Sequence, residues 1–250
     1  MNSVKKYFSE ENTVYSWWNP EKSDNRLVYK RQEEIVKKIV SKYNPSSIID
    51  VSAGKGRFAK LFHKKYKYTC LDISQQMLNH IRGLNLKVLL VKADVENIKM
   101  DKKYDLILCA EALVHYPHPK KALLNIKKLL SNDGILIITT DNKNCFGRIL
   151  KNFQVYLFNL LKKEKKDFKN KIFFPYSGRE YKRMFNVAGL RINKKIYLSL
   201  FTTPVKSKLN GKYLLNKDTC KKLQHIDLFF EKIPFINKFC SYFIYVLEKK

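Results

Sequence analysis

Apolar and polar positions alternate between a helical period and a strand period along the first 140 residues. Within 27–43 the apolar residues recur on one side of a helix, which predicts an amphipathic helix there. Asn44-Pro45 ends that pattern, and the short apolar run 48–51 that follows predicts a buried strand. The chain therefore begins its regular structure with a helix followed by a strand.

The same alternation then repeats, with a turn predicted at Asn132-Asp133-Gly134. Strands are predicted over 48–51, 68–71, 87–91, 104–110 and 135–140, and helices over 27–43, 57–65, 74–82 and 119–130. Strands that alternate with helices of this length pair in parallel through right-handed crossovers. The pattern therefore predicts a doubly wound α/β sheet.

The alternation stops after residue 140. A long aromatic and basic segment, 142–176, carries a helical apolar stripe and is interpreted as an insertion or lid over the sheet. Ser177 and Glu180 have the spacing of a capping box, which predicts the start of a helix. Beyond it we predict a helix to 188, strands over 191–201 and 242–247, and a helix over 217–230.

Charge separates this chain from an ordinary globular protein. Fifty Lys and Arg against 22 Asp and Glu leave a net charge of +28, which suits nucleic acid, an anionic membrane or an acidic substrate. Only eight of the 50 are Arg, and Lys does not reproduce the bidentate fork with which Arg reads phosphates. We therefore favour a Lys-rich solvated surface and regard nucleic acid as an unlikely partner, while peripheral contact with an anionic membrane stays open.

Cysteine usage and apolar runs indicate the compartment. The five cysteines are odd in number, far apart and without a CxxC pair, which is typical of reduced thiols and unlike a disulfide framework or a zinc site. The first 18 residues meet acidic side chains before any apolar run, and no stretch of about 18 apolar residues follows. We expect a cytoplasmic protein without a bound metal.

The strongest chemical signal is the turn Asp50-Val51-Ser52-Ala53-Gly54-Lys55-Gly56 between a predicted strand and a helix. Its glycines let a ligand approach the backbone, and the helix beyond it presents free N–H groups. Asp72 ends the next strand 22 residues after Asp50, where a carboxylate accepts both hydroxyls of a ribose. These features predict a nucleoside-bearing ligand at the carboxyl ends of the strands.

The loop also indicates which nucleoside is bound. A dinucleotide fold would need a third glycine, yet Gly54 and Gly56 are followed by Arg57-Phe58-Ala59. Asp50 would repel a phosphate and suits a ligand with an amino group. We therefore expect S-adenosylmethionine as the cofactor.

Five segments, in this order, resemble the class I S-adenosylmethionine-dependent methyltransferases. They are IIDVSAGKGRFAKLF, CLDISQQML, VKADVENI, YDLILCAEALVHYPHPKKAL and NDGILIITT, and together they cover about residues 48–140. The run from Glu111 to Pro119 is similar to the branch that includes quinone- and lipid-pathway methyltransferases. The resemblance implies one methyltransferase domain over 1–250, with a mostly parallel seven-stranded sheet and a helical lid after the fifth strand. Its parts would be an N-terminal helical cap (1–44), a cofactor-binding core (45–141), the insertion (142–176) and the C-terminal part of the sheet (177–250).

The resemblance also implies roles for individual residues. Asp50 would hold the amino group of the methionine part, while Gly54 and Gly56 would let the chain pass beneath the cofactor. Asp72 would bind the ribose hydroxyls, and Ile73 would pack against the adenine face. The adenine edge would meet Asp94 with the backbone of Ala93 and Val95, and the backbone of Ala110 and Glu111 would close over the methionine.

One position departs from the family pattern. Ser52 stands where a glycine is usual, and a serine there needs a permissive backbone dihedral. Its neighbours Ala53 and Gly54 keep the rest of the cofactor loop small. The departure either weakens cofactor binding, marks a protein that has lost catalysis, or is accommodated by the loop, and we favour the last reading.

Residues for the acceptor are harder to assign. His115 lies where a substrate would arrive, so it either takes a proton from a hydroxyl nucleophile or shapes the pocket. Tyr15, Trp17 and Trp18 either cover the site or pack on the domain surface. The apolar stripe in 149–161 fits lid packing, and its basic neighbours also fit an interfacial helix.

The leading hypothesis is O-methylation of a small organic acceptor resembling a quinone, a lipid or another secondary metabolite. A nucleic-acid methyltransferase is the first alternative, but the loop Cys109-Ala110-Glu111-Ala112 lacks the Asn/Asp-Pro-Pro-aromatic tetrad usual in enzymes that methylate base amino groups. A non-catalytic binding protein is the second alternative, and only Ser52 suggests it.

Overall fold

A seven-stranded sheet organises the computed structural model, which describes residues 7–8, 26–162, 173–207 and 212–250. Its strands are β1 (Ser47–Val51), β2 (Lys67–Asp72), β3 (Leu89–Lys92), β4 (Tyr104–Ala110), β5 (Leu130–Asp141), β6 (Leu190–Leu198) and β9 (Tyr242–Lys249). The last strand is β9 because two strands of a separate sheet, β7 and β8, precede it in the chain. The strand order is β3-β2-β1-β4-β5-β9-β6. Strands β1 to β5 pair in parallel, and β9 runs antiparallel to both of its neighbours. The predicted doubly wound, mostly parallel seven-stranded sheet is confirmed.

Helices fill both faces of this sheet. Those in the described ranges are α1 (Arg26–Tyr43), α2 (Ala59–Phe62), α3 (Gln75–Gly83), α4 (Pro119–Leu129), α5 (Phe146–Lys162), α6 (Gly178–Val187), α7 (Lys217–Lys222) and α8 (Gln224–Phe230). Short 3-10 turns lie at Val95–Asn97, Leu113–His115 and Ile236–Phe239. A separate two-stranded sheet pairs β7 (Val205–Lys206) with β8 (Tyr213–Leu215).

The core divides into two layers because successive strand residues point to opposite faces. In β4, Ile107 and Cys109 join one buried cluster, whereas Leu106 and Leu108 join the other. Both layers are apolar, so the strands read as continuous hydrophobic runs, as parallel strands covered on both faces do.

Two predicted helix starts are present as hydrogen bonds. The Ser74 side chain accepts a bond from the backbone N–H of Met77, at 3.4 Å, and caps α3. The Ser177 and Glu180 pair forms the reciprocal capping box that opens α6. The spacing of polar residues in the sequence therefore predicted both helix starts correctly.

Several predicted boundaries are wrong, and the helix predicted over 57–65 covers only Ala59–Phe62. The turn at 132–134 lies inside β5: Tyr104 pairs with Leu130 and Leu106 with Ile135, so the extra residues form a bulge. The single helix over 217–230 is divided at Leu223, whose ψ of −1° is too flat to continue an α-helical ladder.

The chain after β6 also differs from the prediction. That strand ends at Leu198 and not at 201, because Ser199 takes a left-handed conformation with φ of +66°. The Ser199 N–H donates to Glu231 Oε1 at 2.6 Å, and Glu231 also receives a bidentate pair from Arg31 at 2.9 and 2.7 Å. The pair β7 and β8 was not predicted, since strands this short show no period.

Two insertions rise from one edge of the sheet. Asp141 at the end of β5 pairs with Tyr242 at the start of β9, and Tyr242 pairs with Leu198 at the end of β6. Segments 142–176 and 199–241 therefore both start at the carboxyl edge of the parallel strands. They touch each other: Gln154 Nε2 donates to Ser207 Oγ at 2.8 Å, and the rings of Phe146 and Phe201 lie 5.4 Å apart.

Some predictions remain untested by this fold. The division into cap, core, lid and C-terminal part stays a prediction. Tyr15, Trp17 and Trp18 lie outside the described residues. Within the described ranges, no helix combines the length and the apolar character needed to cross a bilayer.

Candidate cofactor and acceptor site

A cavity of about 420 Å³ opens at the carboxyl edge of the sheet. Its walls come from the residues that follow β1, β2, β3 and β4, from the end of β5, and from helix α1. Ligands in open α/β sheets bind at this edge, where loops from neighbouring strands converge. The predicted residues in its lining are Asp50, Ser52, Ala53, Gly54, Asp72, Ile73, Ala93, Asp94, Val95, Ala110, Glu111 and His115.

The loop after β1 takes left-handed backbone conformations at three positions. Ser52, Gly54 and Gly56 have φ of +61°, +54° and +73°. A side chain at Gly54 would meet open space, whereas one at Gly56 would place its Cβ 3.0 Å from Ile81 Cγ1. Gly56 is absent from the cavity lining, so its structural contribution is the close approach of the loop to α3.

The serine that departs from the family pattern is accommodated by a specific bond. Left-handed backbone costs a non-glycine residue about 1–2 kcal/mol. Ser52 Oγ shares a 2.8 Å hydrogen bond with the hydroxyl of Tyr116, which belongs to the segment after β4. The bond offsets part of that cost and ties the loop after β1 to the loop after β4.

Asp50 lies at the buried end of the cavity. Its carboxylate is 2% exposed and accepts a hydrogen bond from Tyr68 OH at 3.1 Å. Burial raises the pKa of Asp50 to about 7, although the Tyr68 bond and the charge of Arg57 oppose the shift. A cationic ligand group beside this carboxylate would stabilise its charged form.

Asp72 is held in place by the backbone. Its Oδ2 accepts from the N–H of Gly54 at 2.8 Å, and its Oδ1 accepts from the N–H of Ser74 at 2.9 Å. Burial raises the pKa of Asp72, and these backbone bonds lower it. Each carboxylate oxygen can accept a further bond, so the group has capacity for two hydroxyls of a ligand.

Asp94 has a structural role of its own. Its Oδ1 accepts from Glu96 N at 3.0 Å and its Oδ2 from Asn97 Nδ2 at 2.7 Å, which caps the 3-10 turn at Val95–Asn97. Ala93, Asp94 and Val95 all line the cavity. The contact with an adenine edge stays a prediction, and the capping bonds fix the position of this segment.

Glu111 contributes its side chain to the site, as well as the backbone that the sequence predicted. Its own backbone is left-handed, with φ of +55°, and its N–H donates to Thr139 O at 2.8 Å. The side chain accepts from Gln32 Nε2 at 2.9 Å and from Thr139 Oγ1 at 2.8 Å. Helix α1 is thereby joined to the ends of β4 and β5.

Arg57 is a cavity residue to which sequence analysis gave no role. Its guanidinium lies over the rings of Phe58 and Tyr29, at 4.4 and 5.2 Å, and its Nη2 donates to Gln32 Oε1 at 3.2 Å. Burial lowers the pKa of Arg57, and the nearby charge of Glu111 opposes that shift. The available signal was a basic residue directly after the last glycine of the loop.

Asp141 is a second such residue. It ends β5 at the cavity wall, and burial together with the charge of Glu111 raises its pKa well above the usual range. Arg148 Nη2 lies 3.8 Å from Asp141 Oδ1 and opposes the shift. An acid at a strand end has no distinctive pattern in sequence, which is why it was missed.

His115 lies against aromatic rings from two distant segments. Its ring centroid is 5.1 Å from that of Phe8 and 5.6 Å from that of Phe173. Beside Phe173, the N–H of Phe174 donates to Val114 O at 2.7 Å and fixes this end of the insertion to the 3-10 turn. The structure therefore brings the two segments together at the residue predicted to meet the acceptor.

Comparison with known proteins identifies the family. Residues 26–195 match the family model described as a methyltransferase domain, which covers more than half of the chain. The chain belongs to this family.

Relatives of this methyltransferase domain are similar over parts of its length. The Ubiquinone biosynthesis O-methyltransferase of Rickettsia bellii (strain OSU 85-389) is 32% identical over an alignment of 156 residues that covers 57% of this chain. The match spans 65% of that relative, which is just under two thirds of its length.

Solved structures of low identity share the fold of the methyltransferase domain. Magnesium protoporphyrin IX methyltransferase from Synechocystis PCC 6803 with bound SAH has a TM-score of 0.64 at 13% identity, covering 99% of this chain and 98% of the other. An S-adenosylmethionine-dependent methyltransferase from Clostridium acetobutylicum ATCC 824 has a TM-score of 0.56 at 13% identity, covering 99% of both chains. The predicted fold and family are thus confirmed.

All five cysteines are buried and free. Among the described residues, no three His, Cys, Asp or Glu side chains are grouped so that they could hold a metal ion.

Proposed function

We propose that the protein transfers the methyl group of S-adenosylmethionine to a hydroxyl oxygen of a small organic acceptor. The observation that carries the proposal is the presence, in one cavity, of a buried carboxylate at Asp50 and a half-buried guanidinium at Arg57. This donor set complements the amino and carboxylate groups of an amino acid, and Asp72 offers acceptor capacity for ribose hydroxyls. The cavity residues therefore fit the cofactor.

Different residues of the cavity would bind different groups of the cofactor. Asp50 would take the amino group, Arg57 would take the carboxylate, and Asp72 would take the ribose hydroxyls. Gly54 leaves open space beside the backbone for the ligand. Ile73 and Val95 line the cavity as apolar surface for a flat base.

Methyl transfer requires the protein mainly to align the methyl donor with the acceptor. When bound, the cofactor supplies a methyl group on a sulfonium, which already makes that carbon electrophilic. The chain holds the acceptor in line and excludes water, so orientation supplies much of the rate. His115 would accept the proton of a hydroxyl nucleophile, which is its second predicted role beside shaping the pocket.

The acceptor is proposed to be an apolar, ring-bearing molecule with a hydroxyl. Phe8 and Phe173 lie beside His115, and the further aromatic side chains in the cavity wall are Tyr29, Tyr116 and Tyr242. Such walls favour a flat apolar ring. The similarity to a relative named Ubiquinone biosynthesis O-methyltransferase supports a quinone-like acceptor.

We also propose that the protein acts in the cytoplasm, in peripheral contact with an anionic membrane. Five buried free cysteines support a reducing compartment. The net charge of +28 supports attraction to anionic head groups.

Titration calorimetry with S-adenosylmethionine and its demethylated product tests the cofactor proposal. We expect saturable binding of both ligands, and no binding at millimolar ligand would contradict the proposal. A parallel assay offers radiolabelled cofactor to a hydroxylated quinol and to bulk tRNA. Label in the quinol fraction supports a small-molecule acceptor, and salt-sensitive label in tRNA contradicts it.

His115→Gln separates the two roles of His115. If His115 is the base, we expect kcat to fall about 100-fold, with the largest loss for acceptors whose hydroxyl has a high pKa. His80→Ala, an exposed histidine on α3, is the matched control. A rise in KM with unchanged kcat would assign His115 to the shape of the pocket.

A further inference from the structure

Lys195 is a half-buried lysine of β6 that lies outside the lining of the cofactor cavity. Its Nζ atom faces three aromatic rings, with ring centroids at 3.8 Å for Phe243, 4.5 Å for Tyr197 and 5.3 Å for Tyr245. Among the described residues, Nζ forms no salt bridge and donates no hydrogen bond. Ring faces attract a cation, but they do not replace the hydrogen bonds that water gives to an ammonium group.

The start of helix α6 also packs against this lysine. Gly178 is the first residue of α6, and a Cβ added there would lie 2.9 Å from Lys195 Nζ and 3.7 Å from Phe243 Cε2. The amine therefore uses the space that the missing side chain of Gly178 leaves. The N-terminus of a helix carries a partial positive charge, which disfavours an ammonium group beside it.

These surroundings favour the neutral form of the amine. Burial lowers the pKa of Lys195 to about 8, Cys240 opposes the shift, and Lys238 adds to it. At pH 7 about one tenth of such an amine is neutral, against roughly one in 3,000 for a lysine of ordinary pKa. The neutral amine is the nucleophile, and desolvation beside another cation is one way in which proteins activate a lysine.

Other titratable groups around Lys195 supply no counter-charge near pH 7. Burial raises the pKa of the hydroxyls of Tyr197 and Tyr245 and of the thiol of Cys240, so all three are neutral there. The acid in the first turn of α6, Glu180, accepts the backbone N–H of Ser177 at 2.7 Å and lies 3.6 Å from Lys143 Nζ. The helix N-terminus and Lys238 therefore leave a local excess of positive charge, which attracts an anionic reagent.

We propose that Lys195 is a site of covalent acylation by an acyl phosphate. Its neutral nitrogen attacks the acyl carbonyl carbon, so an N–C bond forms and the C–O bond to phosphate breaks. Phosphate leaves with that electron pair, and the proton released by the nitrogen passes to phosphate or water. The product is a neutral amide, which no longer places a cation beside the N-terminus of α6. This reaction needs neither the cofactor nor the acceptor of the proposed function.

Limited acetylation of the full chain with acetyl phosphate at pH 7 tests the site. The chain is then unfolded and fully acetylated with a deuterated reagent, and mass spectrometry of its peptides gives a relative rate for each lysine. We expect Lys195 to react about tenfold faster than Lys194, the exposed lysine next to it on β6. The rate of Lys195 should level off above about pH 8, whereas that of Lys194 should rise further.

Gly178→Ala tests whether the packing of Lys195 causes its reactivity. The added methyl group displaces the amine towards solvent, so the rate of Lys195 should fall about fivefold or more, towards that of Lys194. Gly83→Ala, whose Cβ would meet nothing within 4 Å, is the control and should leave the rate unchanged. Lys238→Gln changes an exposed side chain and should move the levelling of the Lys195 rate to higher pH.

Three results would overturn the proposal. The first is an equal rate for Lys195 and Lys194 in the parent protein. The second is an unchanged rate of Lys195 in a Gly178→Ala protein whose circular dichroism shows that it is folded. The third is faster acetylation of Lys55, whose pKa is also lowered by burial, because the reactive amine would then belong to the cavity.

Discussion

The rim built by residues 50–115 and the two insertions are made in different ways. The rim depends on backbone: left-handed turns at Ser52 and Glu111, and N–H groups of Gly54 and Ser74 that hold Asp72. The insertions combine packed and exposed apolar side chains with side-chain hydrogen bonds such as those accepted by Asp227 and Glu231. A ligand of constant shape suits fixed backbone geometry, whereas a variable apolar acceptor suits a surface of side chains.

Asp72→Ala is expected to have the largest effect on the rim. It removes the partner of the ribose hydroxyls and leaves the N–H groups of Gly54 and Ser74 without their acceptor. We expect cofactor affinity to fall about 100-fold or more by calorimetry. Asp101→Ala, an exposed acid outside the cavity, is the control. Unchanged affinity in Asp72→Ala would show that the rim does not hold the ribose.

Arg57→Met comes next, with an expected loss of about tenfold to 100-fold in affinity for the demethylated cofactor. The physical reason is the loss of the partner for the carboxylate. Methylthioadenosine lacks the amino-acid end, so its affinity should change little. Equal losses for both ligands would mean that Arg57 supports the fold and does not contact the ligand, and Arg57→Lys should recover part of the difference.

The pH dependence of cofactor affinity tests Asp50. Its pKa of about 7 in the free protein lies above its value beside a cation, so protons compete with the ligand below about pH 7. We expect affinity to fall as pH drops, by up to about tenfold for each pH unit. Asp50→Asn should bind more weakly and lose this dependence, and a dependence that survives the substitution would belong to another group.

The same carboxyl also affects folding, with the opposite sign. An acid whose pKa is raised on folding binds more protons in the native state than in the unfolded one. Its contribution therefore lowers the free energy of unfolding as pH rises from about 4 to 7. Asp50→Asn should flatten that part of the stability profile in urea titrations at several pH values.

Ser52 should show the smallest effect. Ser52→Ala keeps the left-handed cost and loses the bond to Tyr116, so we expect the free energy of unfolding to fall by about 1 kcal/mol. Ser52→Gly removes the backbone cost as well and should lie close to the parent protein. Denaturant titration measures both, and equal losses in the two variants would show that the backbone at position 52 is unstrained.

The rim could be predicted because its functional residues form short, local patterns in the sequence. Asp50 and Asp72 lie at strand ends, Gly54 follows one, and the capping bonds of Ser74 and Ser177 are local. Arg57 was missed because its partner Gln32 lies 25 residues away on α1, and Asp141 was missed because an acid at a strand end has no distinctive sequence pattern. The bulge in β5 depends on register with β4, which no local pattern encodes.

The aromatic wall of the cavity limits how far this protein can be truncated for experiments. The family match runs from 26 to 195, yet Phe8 and Tyr242 both border the cavity. A fragment trimmed to those limits would lose two aromatic rings of the pocket wall and strand β9, which lies between β5 and β6. Such a fragment would be a poor reagent for ligand screening. Inhibitors selected with it would fit a pocket whose shape differs from that of the intact chain.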